Sequence, residues 1–119
     1  MVFAFVCIDK PNSKELRSRL RPPHIEYMLR VKDRTVFGGP IQDDDGATSC
    51  GSIFAIEFAS RAHAEAFIAD EPYHRGGLFE TVMIRRWRQI VPEIEEGFLL
   101  KELERERAKN ISIGETPAE

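Results

Sequence analysis

The chain has 119 residues, of which 42% are hydrophobic and 31% charged, with a formal net charge of −3. This length fits one domain with a single core, and such a small chain leaves room for help from a partner subunit. Residues 93–119 carry a net charge of −4 and residues 1–92 a net charge of +1. The chain therefore has no strong basic excess of the kind that nucleic-acid-binding proteins carry, and no nucleic-acid partner is predicted.

The start of the chain, MVFAFVCIDK, has no basic segment and only about seven consecutive apolar residues after the initial methionine. That is too short for a signal peptide or a membrane span, so no membrane association is predicted. Cys7 and Cys50 are far apart and form no Cys-x-x-Cys pair, which argues against a disulfide framework. Cys7 lies inside the apolar run, as a buried free thiol would in a reducing cytoplasm, where we expect this protein to be located.

The first half of the chain predicts a strand, a helix and a second strand. Val2–Ile8 is a continuous apolar run typical of a strand buried on both faces. In the helix that follows, Pro22 and Pro23 predict a break, with His24 at the start of its second part. The next strand is predicted to end at a Gly38-Gly39-Pro40 corner at the rim of a pocket.

The second half repeats this pattern of strand, helix and strand. An Asp-Gly turn precedes a third strand over 49–58, and Ser60 caps a helix over 61–69. A fourth strand is predicted over about 79–90. The order β-α-β-β-α-β indicates an α+β, ferredoxin-like fold. Two helices cover only one face of such a sheet, while the first and third strands are apolar on both faces; we therefore expect a homodimer that packs face to face.

The tail differs in composition from the rest. Apolar residues recur at helical spacing in it, so residues 93–110 are predicted to form an amphipathic C-terminal helix. Residues 111–119 have no such pattern and are predicted to be a flexible tail. The globular domain is then assigned to residues 1–92.

Four segments resemble the YCII-related (YciI-like) proteins: VFAFVCIDKPNSKELRSRLRPPHIEYM, FGGPIQDDDG, CGSIFAIEF and AEAFIADEPYHRGGLFETVMIRRW. The resemblance covers roughly residues 1–92 and implies a dimeric α+β barrel. It also implies a fold like that of muconolactone-isomerase-like proteins, a few relatives of which act on chlorinated lactones from aromatic breakdown. In this family a histidine and an acid form the expected active-site pair. The histidine corresponds to His24, and the acid to Glu71, where the family usually has the aspartate of Asp-Pro-Tyr; Asp70 is an alternative.

His24 and its acid are the candidate catalytic residues. A histidine at a helix start is biased towards the neutral ring, which accepts a proton, although an exposed polar residue beside a break would look the same. Glu71 or Asp70, at the end of the other helix, could orient that ring. Tyr73 either donates a hydrogen bond to a substrate oxygen or packs as an aromatic side chain.

Ser52 and Pro40 are the remaining candidates for substrate binding, although a small residue at a strand start is commonly structural. The arginine triplets at 17, 19 and 21 and at 85, 86 and 88 are interpreted as solvated faces. Three adjacent aspartates at 43–45 cannot converge on one ion, and His63 and His74 have no partners at ligand spacing. We predict no metal and no cofactor.

The sequence therefore predicts a small cofactor-independent enzyme that uses a histidine–acid pair for proton transfer on a small carbonyl compound or lactone. The reaction would be an isomerisation or an elimination. The alternative is a non-catalytic dimer that binds a small ligand or acts as an accessory protein.

Overall fold

The computed structural model describes residues 1–112, without the side chain of residue 112. It confirms the predicted α+β fold and its ferredoxin-like order, with an additional C-terminal helix. The elements are β1 (Val2–Asp9), α1 (Lys14–Leu29), a 3₁₀ turn (Lys32–Arg34), β2 (Thr35–Gln42), β3 (Ser49–Glu57), α2 (Arg61–Asp70), α3 (Pro72–Arg75), β4 (Phe79–Arg86) and α4 (Phe98–Ser112). The strands form one antiparallel sheet in the order β2-β3-β1-β4.

The hydrophobic core lies on one face of this sheet. Phe3, Phe5 and Cys7 alternate along β1 and are buried, because every second side chain of a strand points to the same face. The prediction that β1 is buried on both faces does not hold within the single chain. On the opposite face, Ile53 is 36% exposed and Met83 is 45% exposed. This second surface, which also contains Val6 in register with both residues, is called the open face below.

Helix α1 is continuous, so the predicted break at Pro22 and Pro23 is wrong. Each proline removes one backbone donor and leaves the carbonyl four residues earlier, at Ser18 or Arg19, without its helical partner. Both prolines and both of these residues are exposed, so water can satisfy the two carbonyls. His24 consequently lies within the helix and not at its start, and the helix-dipole argument for a neutral ring does not apply.

Strand β2 also differs from the prediction, because it continues through Gly38-Gly39-Pro40 to Gln42 without a corner. The strand lies at the edge of the sheet, where a residue without a backbone N–H is tolerated. A Cβ atom at Gly38 would lie 3.2 Å from the Cβ atom of Phe54, so glycine suits this close approach of β2 to β3.

The C-terminal helix α4 begins at Phe98, five residues later than predicted, and it follows Gly97, which has a φ of +84°. In the first turn of this helix, the backbone N–H of Leu99 donates to the Glu93 carboxylate over 2.7 Å. The helix includes residues 111 and 112; the rest of the predicted flexible tail, residues 113–119, lies outside the described residues. The chain divides into two compact units at Trp87/Arg88, and the domain limits 1–92 stay a prediction. None of the helices within residues 1–112 is long and apolar enough to cross a membrane.

Candidate functional site

The centre of the candidate site is a contact between His24 of α1 and Glu71, which lies between α2 and α3. His24 Nδ1 and Glu71 Oε1 form a short hydrogen bond. The Glu71 side chain is fully buried, and that of His24 is 16% exposed. An ionised carboxylate only accepts, so in the neutral ring that faces it Nδ1 carries the proton and Nε2 holds the free lone pair. This arrangement gives a histidine that is oriented to accept a proton at Nε2.

Local structure explains why Glu71 reaches His24. Glu71 precedes Pro72, has an extended backbone, and is the N-cap of α3, where its Oε2 accepts from the His74 backbone N–H over 3.3 Å. One carboxylate oxygen therefore caps α3 while the other meets the imidazole. Asp70 is the last residue of α2 and is exposed, and no hydrogen bond or ion pair within the described residues joins it to His24. The structure thus brings Glu71 to His24, and does not bring Asp70.

Tyr73 lies directly against the pair. Its ring is only 1% exposed and stacks on the His24 ring, with 4.0 Å between the centroids and 16° between the planes. Burial raises the pKa of Tyr73 above its usual value, although the Arg17 and Arg21 charges act in the opposite direction. The phenol keeps its proton at neutral pH and is available as a donor.

Arg17 connects Tyr73 to the sheet, a role that the sequence did not reveal. Its guanidinium lies 4.7 Å from the Tyr73 centroid, and its Nη1 and Nη2 donate to Asp9 Oδ2 (2.8 Å) and Ser52 Oγ (3.0 Å). The side chain is 12% exposed, so the interpretation of this arginine as part of a solvated face is wrong. The usable signal was the spacing of Arg17, Arg21 and His24 at i, i+4 and i+7, which places all three on one helix face.

Asp9, at the end of β1, is a second residue that the sequence analysis missed. Its side chain is 6% exposed, and its Oδ1 has no hydrogen-bond partner among the described residues. Burial raises the pKa of this carboxyl, while the Arg17 bond acts against the rise. Asp9 holds Arg17 in place from behind the site.

A cavity of about 710 Å³ opens beside His24. Ser52 and Pro40, which are partners in the β2–β3 register, form part of its wall together with Tyr73. The lining also includes four basic residues, namely Lys14, Arg17, Arg21 and Lys32. No acidic side chain of the described residues lines the cavity. Four of the predicted site residues, His24, Tyr73, Ser52 and Pro40, therefore line one cavity, and Glu71 lies behind His24.

The other polar clusters considered in the sequence serve local structure. The Asp45 carboxylate accepts from the Ala47 and Thr48 backbone N–H groups, which lowers its pKa and closes its own turn. His63 Nδ1 meets the Ser60 hydroxyl at the start of α2. Within residues 1–112, no group of three histidine, cysteine or acidic side chains could hold a metal ion.

Comparison with known proteins identifies the family. The YCII-related domain matches residues 1–88. The chain belongs to the YCII-related family. It is 29% identical over 97 residues to Protein YciI of Escherichia coli O6:H1 and equally to that of Shigella flexneri, covering 76% of this chain and 99% of each relative.

Two solved structures extend the comparison. The 5-chloro-2-hydroxyhydroquinone dehydrochlorinase TftG of Burkholderia phenoliruptrix AC1100, solved in complex with 2,5-dihydroxybenzoquinone, has a TM-score of 0.70 and 26% identity. That match covers 75% of this chain and 95% of TftG. A protein of Bacteroides thetaiotaomicron described as an antibiotic biosynthesis monooxygenase matches with a TM-score of 0.51 and 17% identity over 80% of this chain and 93% of its own. The second match supports the fold alone.

Proposed function

We propose that this protein is a small cofactor-independent enzyme that transfers a proton on a small carbonyl compound or lactone, with His24 as the general base. The observation that carries this proposal is the bond between His24 Nδ1 and the buried Glu71 carboxylate at the wall of a cavity. Such a bond orients the ring and stabilises the imidazolium that forms when Nε2 takes up a proton.

The reaction can be written for these residues. Nε2 of His24 takes a proton from a carbon next to the carbonyl group, and the C–H electron pair becomes part of an enolate. Tyr73 donates a hydrogen bond to the oxygen that gains charge, and Ser52 contributes to the same wall. Return of the proton to another carbon completes an isomerisation, whereas loss of a leaving group with the enolate electrons completes an elimination.

The likeness to TftG supports the elimination branch. TftG is described as a dehydrochlorinase, and a dehydrochlorination removes a proton and a chloride ion from one molecule. A single histidine–carboxylate pair is sufficient for the proton step of such a reaction. Loss of HCl from a chlorinated hydroxyhydroquinone is therefore the first activity to measure.

The test uses two measurements on the same protein preparations. One is chloride release from 5-chloro-2-hydroxyhydroquinone, and the other is deuterium incorporation next to the carbonyl group of small ketones and lactones in D₂O, followed by NMR. His24→Gln should lower an observed rate by about 10²- to 10⁴-fold, the usual contribution of a general base. His63→Gln, which changes an exposed histidine of α2, is the matched control and should leave the rate unchanged.

Equal rates for the wild-type protein and His24→Gln would refute the catalytic role of His24. Binding of these compounds in the cavity with neither exchange nor chloride release would favour the alternative function, a non-catalytic ligand-binding or accessory protein. The cavity volume of about 710 Å³ lies within the range of small-molecule sites and suits that alternative as well.

We also propose that two copies of the chain form a homodimer through the open face. Val6, Ile53 and Met83 share one row of the sheet there, and a partner subunit would remove their exposed apolar surface from water. Met83→Lys should shift the molar mass measured by light scattering from dimer to monomer. Leu29→Lys, the same kind of change at a 58% exposed position on α1, should leave the mass unchanged. A monomeric wild-type protein at micromolar concentration would refute the dimer.

A cytoplasmic location is part of the same proposal. Cys7 is buried and Cys50 half-buried, and both are free thiols, as is usual in a reducing compartment. Cell fractionation with an antibody against the native protein tests this location, and recovery from the periplasmic or secreted fraction would contradict it.

A further inference from the structure

Helix α1 presents its basic residues to the cavity along one stripe. Lys14, Arg17 and Arg21 recur at i, i+3 and i+7, and His24 follows one turn later on the same face. Arg19, between them in the sequence, is exposed and does not line the cavity. Lys32, from the 3₁₀ turn, adds a further cation to the lining. The positive charge is thus concentrated on the cavity side of the helix.

The charges of this stripe are compensated unequally. Arg17 is neutralised by its ion pair with Asp9, and Glu71 is engaged by His24. Lys14 lies near the acidic turn, where its charge helps to lower the pKa of Asp45. We therefore do not count Lys14 among the cations without an acidic neighbour. Arg21 and Lys32 form no ion pair within 4.0 Å among residues 1–112. Two cations at the cavity thus lack a carboxylate partner in the described part of the chain.

We infer that the ligand of this cavity is a small organic anion, a carboxylate or an ionised enol or phenol, bound by Arg21 and Lys32 beside the fixed guanidinium of Arg17. Charge-assisted hydrogen bonds to such an anion are stronger than those between neutral groups. The rest of the lining, which includes Ser52, Pro40 and Phe54, contributes no negative charge that would repel it.

This inference deepens the proposed function, on which its catalytic consequence rests. Proton abstraction by His24 creates an enolate, and the two unpaired cations would stabilise the charge that develops. Binding of the anion itself does not require that His24 be catalytic, so the two proposals can be tested separately.

The binding experiment compares pairs of ligands that differ in charge and hardly in shape: benzoate with benzamide, phthalate with phthalamide, and fumarate with fumaramide. Titrations at low ionic strength are followed by NMR of the protein and by calorimetry. In at least one pair the acid should bind about tenfold more tightly than the amide, and added salt should reduce this preference, because salt screens exposed charges. If no acid binds better than its amide, whether both bind or neither does, the inference is overturned.

Variants assign the preference to named residues. Arg21→Gln and Lys32→Gln should each weaken binding of the preferred acid about three- to tenfold, with little effect on the amide. Arg19→Gln removes the same charge from the same helix outside the cavity and is the matched control. Both target side chains are exposed, so the variants should fold, and thermal denaturation checks this. Equal weakening by Arg19→Gln would show a general effect of net charge and would refute a site at Arg21 and Lys32.

The same titrations with His24→Gln separate this inference from the proposed function. An anion preference that survives in His24→Gln while no preparation shows turnover leaves the site in place and removes only the catalytic proposal. Turnover in the wild-type protein without any preference for an anion would refute the anion site and leave the catalytic proposal in place.

Discussion

The strongest stability prediction concerns the buried pair, tested by a cycle of His24→Ala, Glu71→Gln and the double variant. Removing the imidazole leaves a fully buried carboxylate whose remaining donor is the His74 backbone N–H. Breaking a buried pair in this way costs about 3–5 kcal/mol of unfolding free energy. Loss of the ring stack on Tyr73 adds about 0.5–1.5 kcal/mol. His24→Ala should therefore remove a large part of the stability of a domain of this size.

Glu71→Gln keeps the shape of the side chain but removes its charge. The amide oxygen can accept only one of the two hydrogen bonds that the carboxylate accepts, so the loss should be about 1–3 kcal/mol, the cost of leaving one buried polar group without its partner. In the double variant no charge is left buried without a partner. The two changes together should then cost about 1–3 kcal/mol less than the sum of the single changes.

Urea denaturation followed by circular dichroism at neutral pH gives the four free energies of unfolding. His63→Ala, at an exposed position of α2, is the control and should change stability by less than about 0.5 kcal/mol. The reasoning is refuted if His24→Ala costs less than about 1 kcal/mol and the cycle is additive within about 0.5 kcal/mol. The imidazole would then not be the partner that makes burial of Glu71 possible.

Three further predictions use other parts of the molecule. Burial raises the pKa of both tyrosines, Tyr27 and Tyr73, above the ordinary value of 10.0. The unfolded chain therefore loses these protons at a lower pH than the native state does. Their contribution to the free energy of unfolding should be fully present below pH 10 and should be lost as the pH rises through the pKa values of the native state. Tyrosinate absorbance in the folded protein well below pH 10 would contradict this. Burial raises the pKa of Cys7 to about 12 and also raises that of Cys50. Thiol reagents at neutral pH should therefore label the folded protein slowly and the denatured protein fully. Fast labelling of Cys7 in a folded Cys50→Ser variant would contradict this. Pro22→Ala should restore a helical hydrogen bond in α1 and raise the free energy of unfolding by about 2 kcal/mol, and unchanged or lower stability in urea would contradict it.

The order of the strands and long helices could be predicted because each is encoded locally. The sequence marks these elements by apolar runs, by turn residues and by the predicted cap Ser60. The Ser60 side chain does accept from the His63 backbone N–H at the start of α2. Local signals were misleading where tertiary contacts decide. Leu20, Tyr27 and Met28 pack on the core from both sides of the two prolines, and this packing favours one continuous helix over the break that proline alone predicts.

The candidate site was predictable in part for the same reason. His24 and Glu71 were found through the resemblance of their flanking residues to a known family, and the structure brings them into contact. The environment of Arg17 depends on Asp9 at the end of β1 and on Ser52 in β3. Those three residues meet only in the folded chain, so helical spacing could place Arg17 on the face of His24 but could not show that this arginine is buried and fixed.

The continuity of α1 is what joins the two parts of the site. In an unbroken helix Arg21 and His24 lie about 4.5 Å apart along the axis and on neighbouring positions of one face. A break at the two prolines would have allowed the basic stripe and the histidine to point in different directions. The proposed anion site and the proposed general base therefore depend on the same rigid element, and a ligand bound by Arg21 would be held within reach of His24 Nε2.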